Sequence, residues 1–369
     1  MKELSLLIKP ASSLCNMRCA YCFYTDAASR RETPSYGLMS ADTARRVLAT
    51  VSSELSPGDR LTIAFQGGEP TLAGIGFFRD FFRTADALLP GVRLDYALQT
   101  NGLSLNEDWC ALFQERRVLV GISIDGPGEI HNLLRPDAAG KGTYSRVYQS
   151  MRLLRRCGVD FNVLTVLSAG MARHPQSVWR WLQEERIGYI QFIPCLAPLD
   201  SGAAAPYALT PSRFRDFYLR LFPLWKKSLA EGRLISVKFF DDLINLYLGG
   251  RVSACGMTGR CAVQYVVEAN GDVFPCDFYA LDRYRLGSLL TEPPSALYAA
   301  AAPFLAEGRA DTERAPCRGC RYAISCGGGC RRQRGSMYVE DGVCRYAQLL
   351  DRLLEPLLLF ARQYLAGQR

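Results

Sequence analysis

Cys15-Asn16-Met17-Arg18-Cys19-Ala20-Tyr21-Cys22 sets three cysteines in a C-x3-C-x2-C pattern with an aromatic residue before the last. Three thiolates hold only three irons of a cubane cluster, because closing a [4Fe–4S] site takes four cysteines. One iron is then left open to bind a small molecule directly. Zinc motifs usually bring their ligands as two close pairs, and three unevenly spaced cysteines with no local fourth fit that pattern poorly. Disulfides suit small secreted domains, and Met1-Lys2-Glu3-Leu4 has no feature of a cleavable signal.

Outward from this loop, the chain alternates strand and helix. Leu4–Lys9 reads as a buried strand entering the loop, and strand patterns recur at Leu61–Phe65, Leu94–Leu98, Val118–Ile124, Phe161–Leu167 and Tyr189–Ile193. Helical periodicity runs from Met39 to Leu55, beginning near Ser40. It recurs at Ile75–Leu89, Asn106–Glu115, Thr143–Cys157 and His174–Glu185. Such alternation predicts βαβ units on a parallel sheet, and six units match a partial (β/α)6 barrel. In barrels of this kind chemistry collects at the C-terminal ends of the strands. The cysteine loop falls there, as do Gln66-Gly-Gly-Glu-Pro70, Gln99-Thr-Asn-Gly102 and Ser123-Ile-Asp-Gly126.

Small residues and Pro from Ala203 to Thr210 suggest a linker, followed by helices over Pro211–Ala230 and Phe239–Leu248. Beyond Gly249 the chain turns cysteine-dense and Gly-rich. Val266–Phe274 reads as a hairpin about Asn270-Gly271, and Tyr346–Leu365 as an amphipathic helix with Pro356 as its point of interruption. The expected division is a first domain over 1–249, with a helical linker from about 203, and a second over 250–369.

The 369 residues suffice for about two domains. Apolar residues make up 49% and charged residues 22%, and Lys plus Arg exceed Asp plus Glu by 8. The surplus is scattered Arg, such as Arg155-Arg156, with no dense basic run, so no nucleic-acid partner is expected. No apolar run approaches the roughly 20 residues of a transmembrane helix, so no membrane partner is expected either. Fourteen cysteines without a secretory signal point to metal ligation in a reducing, cytoplasmic compartment. Cys110, Cys157 and Cys195 stand apart and read as free thiols, while His131 and His174, the only histidines, read as structural.

The cysteine triplet resembles the signature of the radical S-adenosylmethionine (SAM) superfamily, in which SAM occupies the open iron. Gln66-Gly-Gly-Glu-Pro70 taken alone is a strand-ending turn, but it resembles that superfamily's GGE motif. Its glycines would let the backbone approach a ligand, and Glu69 would accept hydrogen bonds from the SAM amino group. Eight further cysteines, Cys255, Cys261, Cys276, Cys317, Cys320, Cys326, Cys330 and Cys344, run as C-x9-G-x4-C, C-x2-C-x5-C-x3-C and a final cysteine. This spacing resembles the SPASM extension, although Cys317-Arg-Gly-Cys320 alone would also suit a zinc ribbon. The resemblance implies two auxiliary [4Fe–4S] clusters, one on Cys255, Cys261, Cys276 and Cys330, the other on Cys317, Cys320, Cys326 and Cys344.

A closer resemblance is carried by Leu6–Ser13, Cys22-Phe-Tyr24, Ala64–Gly74, Leu98-Gln-Thr-Asn-Gly102, Asp125-Gly-Pro127, Ile130-His-Asn132 and Pro275-Cys-Asp-Phe-Tyr279. Together these are similar to anaerobic sulfatase-maturating enzymes. That resemblance implies SAM, three [4Fe–4S] clusters, and conversion of a Cys or Ser in a C/S-x-P/A-x-R segment to Cα-formylglycine by 5′-deoxyadenosyl-radical hydrogen abstraction. It implies SAM contacts at Tyr21, Gly68, Ser123, Arg135 and Leu196, and Asp277 as the proton acceptor. The implied partners are an unfolded sulfatase or sulfatase-derived peptide and an electron donor such as flavodoxin or ferredoxin. Two other readings stay open: a maturase of ribosomally made peptides, and an electron-transfer or zinc-stabilised protein, which leaves Cys15–Cys22 with Gln66–Glu69 unexplained.

Overall fold

A computed structural model describes residues 1–199, 205–252, 254–308, 312–313 and 315–367. In chain order its strands are β1 (Glu3–Ile8), β2 (Arg60–Phe65), β3 (Arg93–Thr100), β4 (Leu119–Ser123), β5 (Phe161–Leu167), β6 (Tyr189–Pro194), β7 (Ser236–Val237), β8 (Val266–Val267), β9 (Asp272–Phe274), β10 (Gly287–Ser288), β11 (Val339–Glu340) and β12 (Val343–Cys344). The six strands read from the sequence all form, and they belong to a parallel sheet core. The chain packs as two compact units, one of residues 1–124, 132–161 and 262–305, the other of 125–131, 162–261 and 306–369.

In the first unit β1 to β4 pair in parallel in sequence order, with Ile63 opposite Leu6 on one side and Tyr96 on the other. Alternation along β2 sends Leu61, Ile63 and Phe65 into the core at 0% exposure. The Phe65 ring meets those of Phe78 and Phe81, on the Gly74–Leu88 helix, edge-on at 4.9 and 5.1 Å. Burying each such ring is worth about 1.5–3 kcal/mol, which fixes the helix over its strand. Helix starts follow side-chain caps: Ser40 accepts from the Thr43 amide at 3.0 Å and Asn106 from the Trp109 amide at 3.1 Å.

The expected hairpin at Asn270-Gly271 is present, and it is also part of this sheet. β8 lies parallel to β1, with Leu7 opposite Val266, and turns back antiparallel into β9. Gly271 has φ +88°, a left-handed conformation the turn requires, and Asn270 Oδ1 accepts from the Asp272 amide at 3.1 Å. The hairpin thus carries Glu268 and the following Cys276-Asp277 turn to the edge of β1.

In the second unit β5, β6 and β7 pair in parallel. The helix Pro211–Ala230, capped by Thr210, packs Phe214 and Tyr218 against Phe239 and Phe240 of the helix Lys238–Leu248, and Phe217 against Phe192 of β6. Ala203 and Ala204 of the expected linker lie outside the described residues. The last helix, Arg345–Gly367, runs through Pro356 without a break. A proline inside a helix costs about 3 kcal/mol. Leu353 and Leu357, both fully buried, and the Phe360 ring 5.7 Å from Trp225 hold the helix on both sides of it. No helix among the described residues is long and apolar enough to cross a membrane.

Candidate functional site

The first unit gathers the loops after β1, β2 and β3. The cysteine loop is zipped on one side to the Gly-Gly-Glu turn, Gly68 N–H donating to Ser12 O at 2.9 Å and Glu69 N–H to Leu14 O at 2.8 Å. On its other side Arg18 and Ala20 amides donate to Pro136 and Leu134 carbonyls, both at 2.9 Å. These four bonds fix the loop's backbone from both sides. Cys15, Cys19 and Cys22 are all half-buried. Burial pushes the Cys15 thiol up, while N–H donors from Met17 at 3.4 Å and Asn101 at 3.7 Å favour its thiolate.

Gly67 has φ +112°, and a Cβ on Gly68 would sit 2.0 Å from Leu14 O. The glycine pair is needed for contact between the two loops. Gly68→Ala forces them apart, since a carbonyl oxygen and its backbone cannot swing away as a flexible side chain can. The expected result is a lower melting temperature, overpacking costing about 1–3 kcal/mol, together with lost iron. Unchanged melting and iron content would show that the loops tolerate separation.

Glu69 is 1% exposed and its partners are all neutral. Oε1 accepts from the Thr71 amide, the Thr71 hydroxyl and the Thr100 hydroxyl at 3.1, 2.7 and 2.8 Å, and Oε2 from the Asn101 amide at 2.7 Å. Burial pushes its carboxyl up against these donors. A buried carboxylate with neutral partners is short of a cation, and Oε2 has the remaining acceptor capacity, so the site fits the amino group expected from sequence. Tyr21 OH accepts from Arg135 Nη1 at 2.9 Å, and Arg135 is 6% exposed. Ser123, at the end of β4, takes Gln99 Nε2 at 2.7 Å on its hydroxyl. Leu196, also named from sequence, is buried just past β6 in the second unit.

Asp277 is 8% exposed in the first unit. Tyr24 OH donates to its Oδ2 at 2.6 Å, and Asp277 N–H donates to Gln264 Oε1 at 2.9 Å. Its Oδ1 is buried with no hydrogen-bond partner. Burial pushes the carboxyl up to about 6, with the charge of Lys9 acting against the rise. Lys9 Nζ lies 5.2 Å from the centre of the Tyr24 ring and donates to Glu268 Oε1 at 2.6 Å. Arg31 donates to the same oxygen at 2.6 Å, and Ser12 to Oε2 at 2.8 Å. Lys9, Arg31 and Glu268 went unassigned in the sequence. A lysine ending an apolar strand was the only local sign, and its partner lies 259 residues away.

In the second unit Cys317, Cys320, Cys326 and Cys344 line one pocket with Tyr322, Tyr338 and Tyr346. Burial pushes the Cys326 thiol up to about 12, and the other three sulfurs add to the rise. Four thiols in an apolar, aromatic-walled pocket suit a cluster that takes them as thiolates. Among the described residues no three His, Cys, Asp or Glu side chains meet as closely as a single metal ion needs. Cys255, Cys261 and Cys330 are in this unit and Cys276 in the first. Of the remaining thiols, Cys110 and Cys195 are buried. Cys157 is half-buried and hydrogen-bonded to Cys110. His131 is buried and accepts the Asp125 amide on Nδ1, a structural bond.

An open three-cysteine loop beside a buried Gly-Gly-Glu turn on a parallel sheet defines a radical SAM protein, and the Radical SAM superfamily profile matches residues 10–173. A cysteine-type anaerobic sulfatase-maturating enzyme of Clostridium novyi (strain NT) is 38% identical over 336 residues, 90% of this chain and 89% of the relative. One of Clostridium perfringens (strain 13 / Type A) is 38% identical over 343 residues, 92% of each. A solved structure described as native anSMEcpe with bound AdoMet and Cp18Cys peptide superposes with TM-score 0.89 at 36% identity, covering 98% of this chain and 99% of that one. The chain belongs to the anaerobic sulfatase-maturating enzymes.

Proposed function

We propose that this enzyme oxidises the cysteine of a C-x-P/A-x-R segment in an unfolded sulfatase, or a peptide derived from one, to Cα-formylglycine. The observation that carries the reading is Asp277 Oδ1, a buried and unpartnered carboxylate oxygen in the same unit as the three-cysteine loop. In this reading residues 1–249 carry the radical chemistry, and residues 250–369 carry Asp277 and two auxiliary clusters. Cys15, Cys19 and Cys22 hold the cluster that binds SAM, and the eight C-terminal cysteines hold the other two. When bound there, SAM would supply, with an electron from a flavodoxin- or ferredoxin-like donor, the radical that removes a hydrogen atom from the target carbon.

The chain's own residues orient and deprotonate. Glu69 Oε2 would receive the SAM amino group, with Tyr21, Gly68, Ser123 and Arg135 of the same unit as its further contacts. Asp277, ionised above about 6, would take the proton of the target thiol through Oδ1, while an auxiliary cluster would accept the remaining electron and water would displace the sulfur as sulfide to leave the aldehyde. Tyr24 holds the other carboxylate oxygen, so Oδ1 keeps a fixed direction.

The test is anaerobic reconstitution followed by incubation with SAM, reductant and two peptides differing only in Cys or Ser at the target. We expect about twelve irons per chain, 5′-deoxyadenosine, and aldehyde in the Cys peptide. The Ser peptide should react roughly tenfold or more slowly, because a hydroxyl gives up its proton to a carboxylate less readily than a thiol. A thioether or cross-linked product, or equal rates on the two peptides, would overturn the proposal. About four irons would reject the auxiliary clusters alone.

A further inference from the structure

Asn101 follows β3, is 6% exposed, and hydrogen-bonds through its amide N–H and both polar atoms of its side chain. Its amide N–H donates to Glu69 Oε2 at 2.7 Å. Its Oδ1 accepts the Leu103 amide at 3.0 Å, and its Nδ2 donates to Asn16 Oδ1 at 2.7 Å and to Cys15 Sγ at 3.7 Å. The side-chain orientation is settled by these partners. Exchanging oxygen and nitrogen would set Oδ1 against Asn16 Oδ1 and Nδ2 against the Leu103 N–H. One residue thus touches both the carboxylate expected to hold SAM and a cysteine expected to hold the cluster.

We infer that Asn101 is a positioning residue that sets the reducibility of the Cys15–Cys19–Cys22 cluster through its Nδ2–H···Sγ bond to Cys15. The inference rests on the radical SAM reading of that loop. An N–H aimed at a cluster thiolate stabilises negative charge on sulfur, and the reduced cluster carries one negative charge more than the oxidised one. The bond therefore favours reduction. Met17 N–H, at 3.4 Å, gives the same sulfur a second donor from its own loop. Asn101 differs from Met17 in that its donor is a side chain and can be removed without disturbing the backbone bond to Glu69.

The experiment is a reductive titration monitored by electron paramagnetic resonance. The signal of this cluster is identified as the one missing from a variant with Cys15, Cys19 and Cys22 all replaced by Ala. Asn101→Ala removes the donor, and Asn101→Asp keeps the size and the acceptor for Leu103 while turning a carboxylate oxygen toward the sulfur. The expected result is a potential more negative than wild type for Asn101→Ala and more negative again for Asn101→Asp, at unchanged iron content. Potentials equal to wild type, or shifted upward, overturn the inference. Should Asn101→Ala lose the cluster, Asn101→Asp decides, and loss from both overturns it by making Asn101 a structural support alone. Failure of the reading beneath it is separate: wild-type protein would then show no signal that depends on Cys15, Cys19 and Cys22.

Discussion

Glu268→Leu is expected to destabilise the chain by about 3–5 kcal/mol, the range for breaking a buried ion pair by removing one partner. Glu268 is 0% exposed, and Lys9 and Arg31, at 3% and 6%, both donate to it. Without the carboxylate two cations remain buried side by side, at exposures that leave little room for water to screen them. Burial alone would raise the Glu268 carboxyl, yet the charges of Lys9 and Arg31 hold it below its ordinary value of 4.5. A depressed carboxylate contributes stability that is present above the unfolded-state pKa and lost as pH falls through the folded one. The wild-type advantage over Glu268→Leu should therefore be full at neutral pH and shrink below about 4.5. Thermal melts of both proteins across that range check it. A cost under about 1 kcal/mol at pH 7 would show that water reaches the pair and screens it, as at exposed salt bridges.

Such a triad shows where sequence reading stops. Cys15–Cys22 and Gln66–Pro70 are legible because the residues that act together are consecutive and each run follows a strand whose apolar pattern is plain. The strand-and-helix alternation was legible for the same reason, since Leu61, Ile63 and Phe65 declare a buried face within a few residues. Glu268 offers no such sign. It sits in Val266-Val-Glu-Ala-Asn-Gly271, which reads as a hairpin, and a hairpin says nothing of β8 pairing with β1. That pairing alone brings Glu268 to Lys9. Asn101 was visible only as part of a turn, because its value lies in where Nδ2 points. Pro356 marked a break that does not occur, because the leucines flanking it in the sequence are buried on both sides. Local patterns thus locate loops and strands, while side-chain partners across hundreds of residues depend on the sheet order.

Asp277→Asn is expected to lower formylglycine formation by roughly a hundred- to ten-thousand-fold, the usual worth of a positioned general base. The substitution keeps the size of the side chain, and its amide oxygen can still accept from Tyr24 OH, so the turn after Cys276 keeps its hydrogen bonds. What it loses is basicity at the unpartnered position now held by Oδ1. A target thiol has an ordinary pKa near 8.5, above neutrality, so its proton needs an acceptor as the carbon is oxidised. Asp277 suits that role because burial brings it up to about 6, close enough to neutrality to take a proton and still ionised at pH 7. Glu69 and the three N-terminal cysteines are untouched, so the variant should hold its iron and still cleave SAM, with 5′-deoxyadenosine formed in excess over aldehyde. Both products are measured in one reaction at iron content matched to wild type. Equal loss of 5′-deoxyadenosine and aldehyde would place Asp277 before hydrogen abstraction, as a contributor to substrate or SAM binding. Loss of iron would assign it to supporting Cys276, and an unchanged aldehyde yield would remove it from the proton path altogether.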